Sequence, residues 1–166
     1  PGHGRSVNDT HHNLPTVTTD KATLSATDFA PFRALRDLPM AMTAHIIFEA
    51  YDPINPATQS IKVIQAIRHE IGFAGLLLTD DLNMQALSGS LSERTSRSLA
   101  AGCDIALHCK GDFDEMQAVA QAAGAMSPAT QLRAKAALGQ RQHAKIIDIA
   151  ALEAEFSAWL GESRNG

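Results

Sequence analysis

An α/β fold built on a parallel sheet is what this sequence predicts, and three observations carry that expectation. Apolar runs of strand length recur at residues 41–48, 75–79 and 104–109, spaced by about 30 residues, and each is followed by a helical pattern. None of the runs alternates with polar residues, so both faces of each strand are expected to be covered. Strands that return through a helix run parallel.

Element by element, the opening loop at 1–15 combines glycines, prolines and histidines without apolar periodicity. A short helix is expected over 27–35, with Thr27 as N-cap and Phe29, Phe32 and Leu35 on one face. Strand 41–48 leads to a helix over 60–71, capped by Ser60, striped by Val63, Ile64, Ile67 and Ile71, and stopped by Gly72. Strand 75–79 leads to a helix over 92–101 that ends at Gly102. Strand 104–109 leads to a helix after Asp112, which with Glu115 forms an Asp version of the capping box. Ser127 and Pro128 start another helix, and Asp148 starts the last, with Leu152, Phe156, Trp159 and Leu160, before a frayed tail after Leu160. The expected organisation is one domain over 1–166, with a loop at 1–15, β/α units over 27–145 and a terminal helix and tail over 146–166.

Composition narrows the function classes. The 166 residues are 45% hydrophobic and 19% charged, enough to bury one core. Net charge is −4 and the Lys and Arg residues are scattered, so no basic face is expected to take nucleic acid. No apolar stretch approaches the roughly 18 residues of a membrane span, and no signal-peptide pattern precedes the loop, so a soluble cytoplasmic protein is expected. Cys103 and Cys109 flank one strand, roughly 20 Å apart if extended, so free buried thiols are expected rather than a disulfide.

Loops at the C-terminal ends of parallel strands form the active face of such folds, so polar residues there are the chemical candidates. Leu76-Leu77-Leu78 runs directly into Thr79-Asp80-Asp81. Two adjacent carboxylates at a buried strand end are costly unless hydrogen-bonded, solvated or used. Asp80, the first, is the better candidate for a nucleophile or an electrostatic stabiliser, while Asp81 also suits a cap for the following helix. In the opening loop Asp9 stands two residues before His11, where a carboxylate fixes a histidine tautomer and raises its basicity for proton transfer. His3, Asp9, His11 and His12 also permit a zinc reading, although their spacing matches no helical two-histidine site. His45 and His108 are read as strand or strand-end histidines, His108 facing the barrel mouth, and Arg94 and Arg97 as a solvated helix face.

Pro1-Gly2-His3-Gly4 with Asp9-Thr10-His11, then Met42-Thr43-Ala44-His45, then Leu78-Thr79-Asp80-Asp81-Leu82-Asn83-Met84 together resemble the family 3 β-N-acetylglucosaminidases of bacterial peptidoglycan recycling. The resemblance extends through Ala100-Ala101-Gly102-Cys103-Asp104 and Leu107-His108-Cys109, to about Leu138. It implies a (β/α)8 barrel of which this chain supplies the C-terminal part, about three strands of the eight. It also implies Asp80 as nucleophile, His11 as acid/base and Asp9 as its partner, with His3, Met42 and His45 contacting the sugar and no cofactor. Thr79 and Thr10 stand where the family usually has serine, and the Lys-His pair that precedes the loop motif in the family has no counterpart before Pro1.

The activity this implies is retaining hydrolysis of terminal β-linked N-acetylglucosamine from cell-wall fragments. A competing expectation is a chain inactive by itself, because an open three-stranded sheet leaves edges that invite a missing barrel half or a second copy. A metal-dependent hydrolase using the histidine-rich loop is the third.

Overall fold

Three parallel strands form the centre of the computed structural model, which describes residues 2–142, 144 and 146–162. In chain order the elements begin with β1 (Thr16–Val17) and α1 (Lys21–Thr23), which continues as a π-helical turn over Leu24–Asp28, and then α2 (Ala30–Ala34). β2 (Met40–Met42), β3 (Ile47–Phe48) and α3 (Ile61–Ala66) follow, α3 again widening into a π turn over Ile67–Ile71. The remainder is β4 (Leu76–Asp81), α4 (Leu91–Ala101), β5 (Ile105–Leu107), α5 (Phe113–Ala123), α6 (Pro128–Gly139) and α7 (Ile149–Glu162). The sheet order is β2-β4-β5, all parallel, while β1 pairs only with β3.

Two expectations about elements need correction. The apolar run 41–48 is not one strand: it breaks after Met42, because Thr43, Ala44 and His45 turn aside to reach buried partners, and Ile47–Phe48 pairs elsewhere. The first helix starts earlier than 27. Asp20 is its cap, accepting from the Thr23 N–H at 2.9 Å, and Thr27 lies inside the π turn with its hydroxyl donating to the Thr23 carbonyl. Phe29 is wholly buried, but Phe32 and Leu35 are exposed, so the expected stripe splits.

Most other boundaries follow the caps. Ser60 accepts from Val63 N–H, Ser90 forms a reciprocal capping box with Glu93, and Asp112 accepts from Glu115 N–H. Gly72 ends the third helical segment at φ 82°, a left-handed conformation that a side chain would strain. α7 runs through Glu162; Pro1 and the tail from 163 on lie outside the described residues.

One face of the sheet is covered. Ala41 and Leu77 pack with Val63, Ile64, Ile67, Phe29 and Ile46, and Phe29 meets Phe48 edge-on at 5.8 Å. Each such large side chain contributes about 1.5–3 kcal/mol on burial. The opposite face carries Met40 and Met42, in register with Leu76 and Leu78, and both methionines are about half exposed. The expectation that both faces are covered thus fails within the described residues.

Asp104 locks the sheet to its helices from the far end. It accepts from Arg68 and Arg133 at 2.7 Å each, from the Thr130 hydroxyl at 3.0 Å and from the Leu77 N–H at 3.0 Å. A buried carboxylate is tolerable only when paired and hydrogen-bonded in this way.

Candidate active site

At the C-terminal end of the sheet, β4 changes register between Leu78 and Asp81. The Thr79 hydroxyl substitutes for a ladder carbonyl by accepting the Leu107 N–H at 2.9 Å, and Leu82 N–H then donates to the Leu107 carbonyl. Such a bulge re-aims the side chain beside it. Alternation along the strand puts Leu77 and Thr79 in the core and Asp80 on the uncovered face, half-buried.

The two carboxylates have different employment. Asp81 Oδ1 accepts from the Asn83 and Cys109 N–H groups, both at 3.1 Å, so it ties the loops after β4 and β5 together. Asp80 Oδ1 accepts only the N–H of Asp81, at 2.8 Å. Among the described residues its other oxygen has no protein partner, which leaves it available to an incoming group.

The opening loop is fastened at both ends. Arg5 donates to Asp28 and Thr27 at 2.9 and 3.0 Å, and a Cβ on Gly2 would sit 2.5 Å from the Phe32 ring, so glycine is needed for that approach. Further along, Thr10 is buried and the His11 carbonyl accepts the Gln85 N–H at 3.4 Å, which brings the loop to the β4 end. Asp9 Oδ1 accepts both the backbone N–H of His11 at 2.9 Å and its Nδ1–H at 2.7 Å. These bonds hold the Asp9 carboxyl below its ordinary range. In turn the hydrogen bond and charge of Asp9 raise His11, with a smaller contribution from Asp80 and Asp81.

The remaining sequence candidates separate. Met42 sits on the uncovered face beside Leu78, one pleat from Asp80. His3 is exposed, and only its carbonyl is engaged, by the Ser6 N–H. His45 is wholly buried, and both its ring nitrogens are taken by protein groups, Nδ1 by the Thr58 hydroxyl and Nε2 by the Asp81 carbonyl. Both its ring nitrogens are thus committed within the protein. The His108 side chain is buried, with Nε2 3.5 Å from Glu115 near the start of α5. Cys103 is buried and its thiol pushed up to about 12 by desolvation, whereas Cys109 is exposed rather than buried.

Arg94 is the residue that sequence reasoning missed. It is half-buried and donates to the carbonyls of Leu82, Met84 and Gly89 at 2.9, 3.1 and 2.9 Å, stapling the loop that follows the paired carboxylates. The only signal was its position, four residues after the Ser90 cap. No group of three or more potential metal-ligating side chains comes together among the described residues.

The profile of the glycosyl hydrolase family 3 N-terminal domain matches residues 1–138. The chain belongs to glycosyl hydrolase family 3. A β-hexosaminidase of Alkalilimnicola ehrlichii is 37% identical over 113 residues, 66% of this chain and 32% of the relative. The family 3 β-N-acetylglucosaminidase of Paenibacillus sp. FPU-7 superimposes with a TM-score of 0.72 at 30% identity, over 89% of this chain and 32% of that one. NagZ of Neisseria gonorrhoeae, solved with N-trifluoroacetyl-D-glucosamine, gives 0.58 at 31% identity, over 86% and 45%. The chain thus spans about a third of the length of the hexosaminidase relative it matches. Within this glycosyl hydrolase family 3 chain the three parallel strands and their helices are part of a TIM-type barrel, with no closed barrel among the described residues. No helix among them is long and apolar enough to cross a membrane.

Proposed function

We propose that this chain carries the reacting groups of a retaining glycoside hydrolase that releases terminal β-linked N-acetylglucosamine, with peptidoglycan fragments in the bacterial cytoplasm as its substrates. The observation that carries the proposal is the pairing of an Asp80 oxygen without a protein partner and a histidine held by a carboxylate, on a loop bonded to the same strand end. The names of the relatives supply the sugar.

In the first step an Asp80 oxygen bonds to the anomeric carbon as the bond to the leaving oxygen breaks, and His11 Nε2–H protonates that oxygen. Because Asp9 engages Nδ1–H, Nε2 is the nitrogen that gains and loses the proton. In the second step Nε2 takes a proton from water, the water oxygen bonds to the anomeric carbon, and Asp80 leaves as a carboxylate. Asp9 stabilises the imidazolium that stands before the first step and is restored by the second. Met42 is positioned to line the sugar's apolar face, and His3 to meet it from the loop. The chemistry requires no cofactor.

Asp80→Asn tests the nucleophile with 4-methylumbelliferyl β-N-acetylglucosaminide. The expected result is loss of turnover in the variant; undiminished activity removes Asp80 from the role.

A second reading, in which the chain acts only with a partner, rests on the uncovered face and on the unpaired outer edges of β2 and β5 among the described residues. Such edges are ready to pair with further strands, from the rest of a barrel or from a second copy.

A further inference from the structure

We propose that His45 is a positioning residue that fixes the end of the nucleophile strand by clamping the Asp81 carbonyl, in a tautomer set by Thr58 and Thr43; this rests on the reading of Asp80 as nucleophile. The regular pairing of β2 with β4 ends at Met42 and Leu78, with a last bond from Thr43 N–H to the Leu78 carbonyl at 2.9 Å. Beyond that point β4 bulges, and on the β2 side the His45 side chain takes over. Its Nε2 lies 2.9 Å from the Asp81 carbonyl, one residue past Asp80.

Proton positions follow from the partners. A carbonyl only accepts, so Nε2 carries a hydrogen. The ring is wholly buried, and burial holds its pKa below the ordinary value despite the charges of Asp80 and Asp81, so it is neutral and Nδ1 is bare. The Thr58 hydroxyl, 2.8 Å away, donates to Nδ1, and Thr43 Oγ1, 2.9 Å from Thr58 Oγ1, donates in turn. The Ala44 carbonyl at 3.2 Å is the alternative acceptor for the Thr58 hydroxyl, and Thr58 would turn to it only if Nδ1 were protonated.

The Asp81 residue is therefore held at three points: N–H by Asp80 Oδ1, carboxylate by Asn83 and Cys109, carbonyl by the Met84 N–H at 3.2 Å and by His45. Only the last reaches across from β2. It sets the height of the Asp80 backbone relative to the uncovered face, where a displacement of about 1 Å is enough to cost 10²-fold in rate.

Two variants separate this role from simple packing. Glutamine places an amide N–H near the Nε2 position, whereas asparagine reaches only the Nδ1 position and leaves the Asp81 carbonyl with no donor from the β2 side, only the Met84 N–H of its own loop. With the aryl glycoside, His45→Asn is expected to lower kcat by about 10²-fold with KM little changed, and His45→Gln to stay within about tenfold of the parent. Equal losses in both variants, or a loss confined to KM, overturn the proposal. Ring nitrogen NMR of the unsubstituted chain decides independently of turnover and of whether a variant folds. A neutral Nε2–H ring at about pH 7 to 8 supports the clamp, and an Nδ1–H tautomer or an imidazolium in that range contradicts it. Absence of turnover in the parent, with the Nε2–H ring present, counts against the glycosidase reading and leaves the clamp standing.

Discussion

Asp80 and Asp81 are adjacent in sequence, yet one is consumed by backbone N–H groups of two loops and the other keeps an oxygen without a protein partner. The sequence made both visible, because carboxylates seldom follow a buried apolar strand without a use. It also made the Asp9 and His11 pair visible, since the side chains can bond locally at that spacing. His45 was less legible: a histidine in an apolar run advertises burial but not its partners, which lie 13 and 36 residues away at Thr58 and Asp81. At this scale the pH dependence of activity is predictable. Asp9 raises His11, and in the proposed mechanism protonated His11 gives its proton to the leaving oxygen, so the alkaline limb of kcat/KM would report its deprotonation. Asp9→Asn removes the charge, lowers His11 toward its ordinary value, and is expected to move that limb to lower pH. An unmoved limb in a pH–rate profile contradicts the pairing.

Helices were legible wherever a cap announced them, as at Ser60, Ser90, Asp112 and Ser127. They were misjudged where the signal was tertiary. Thr27 looked like a cap from its neighbours, but Asp20, earlier in the chain, already satisfies the first turn. Residues 41–48 looked like one strand because apolar content does not reveal that Thr43 and His45 are drawn off to Thr58. Arg94 and Arg97 share a helix and looked alike, yet Arg94 binds three carbonyls whereas Arg97 only approaches Glu93 at 3.8 Å on the surface. Arg94→Met is therefore expected to cost about 2 kcal/mol in urea unfolding, because charge-assisted bonds are lost and carbonyls stranded. Arg97→Met is expected to stay within about 0.5 kcal/mol. Equal effects of the two substitutions would remove the staple from the account.

At the scale of the molecule, the three repeats were enough to predict a parallel α/β sheet, because strand runs without polar alternation are unusual outside that architecture, and the family resemblance implied that the sheet is part of a barrel. What the repeats did not disclose is which face stays uncovered. Core packing of Ala41, Leu77 and Thr79 against the helices puts Met40, Met42 and Asp80 together on the other side. An apolar face beside the proposed nucleophile, bounded by strand edges unpaired among the described residues, is expected to draw the chain into association. Sedimentation over a range of concentrations is expected to show species heavier than a monomer; a monomer at every concentration contradicts the partner-dependent reading.

The claim on which the rest depends is that Asp80 attacks the anomeric carbon. Incubation of the chain with a 5-fluoro N-acetylglucosaminyl fluoride, followed by peptide mass mapping, tests it directly, since displacement of fluoride leaves the sugar esterified to the attacking carboxylate. The account predicts one adduct, on the peptide that contains Asp80, and none in Asp80→Asn. An adduct on another residue, or one that persists in the variant, would contradict it.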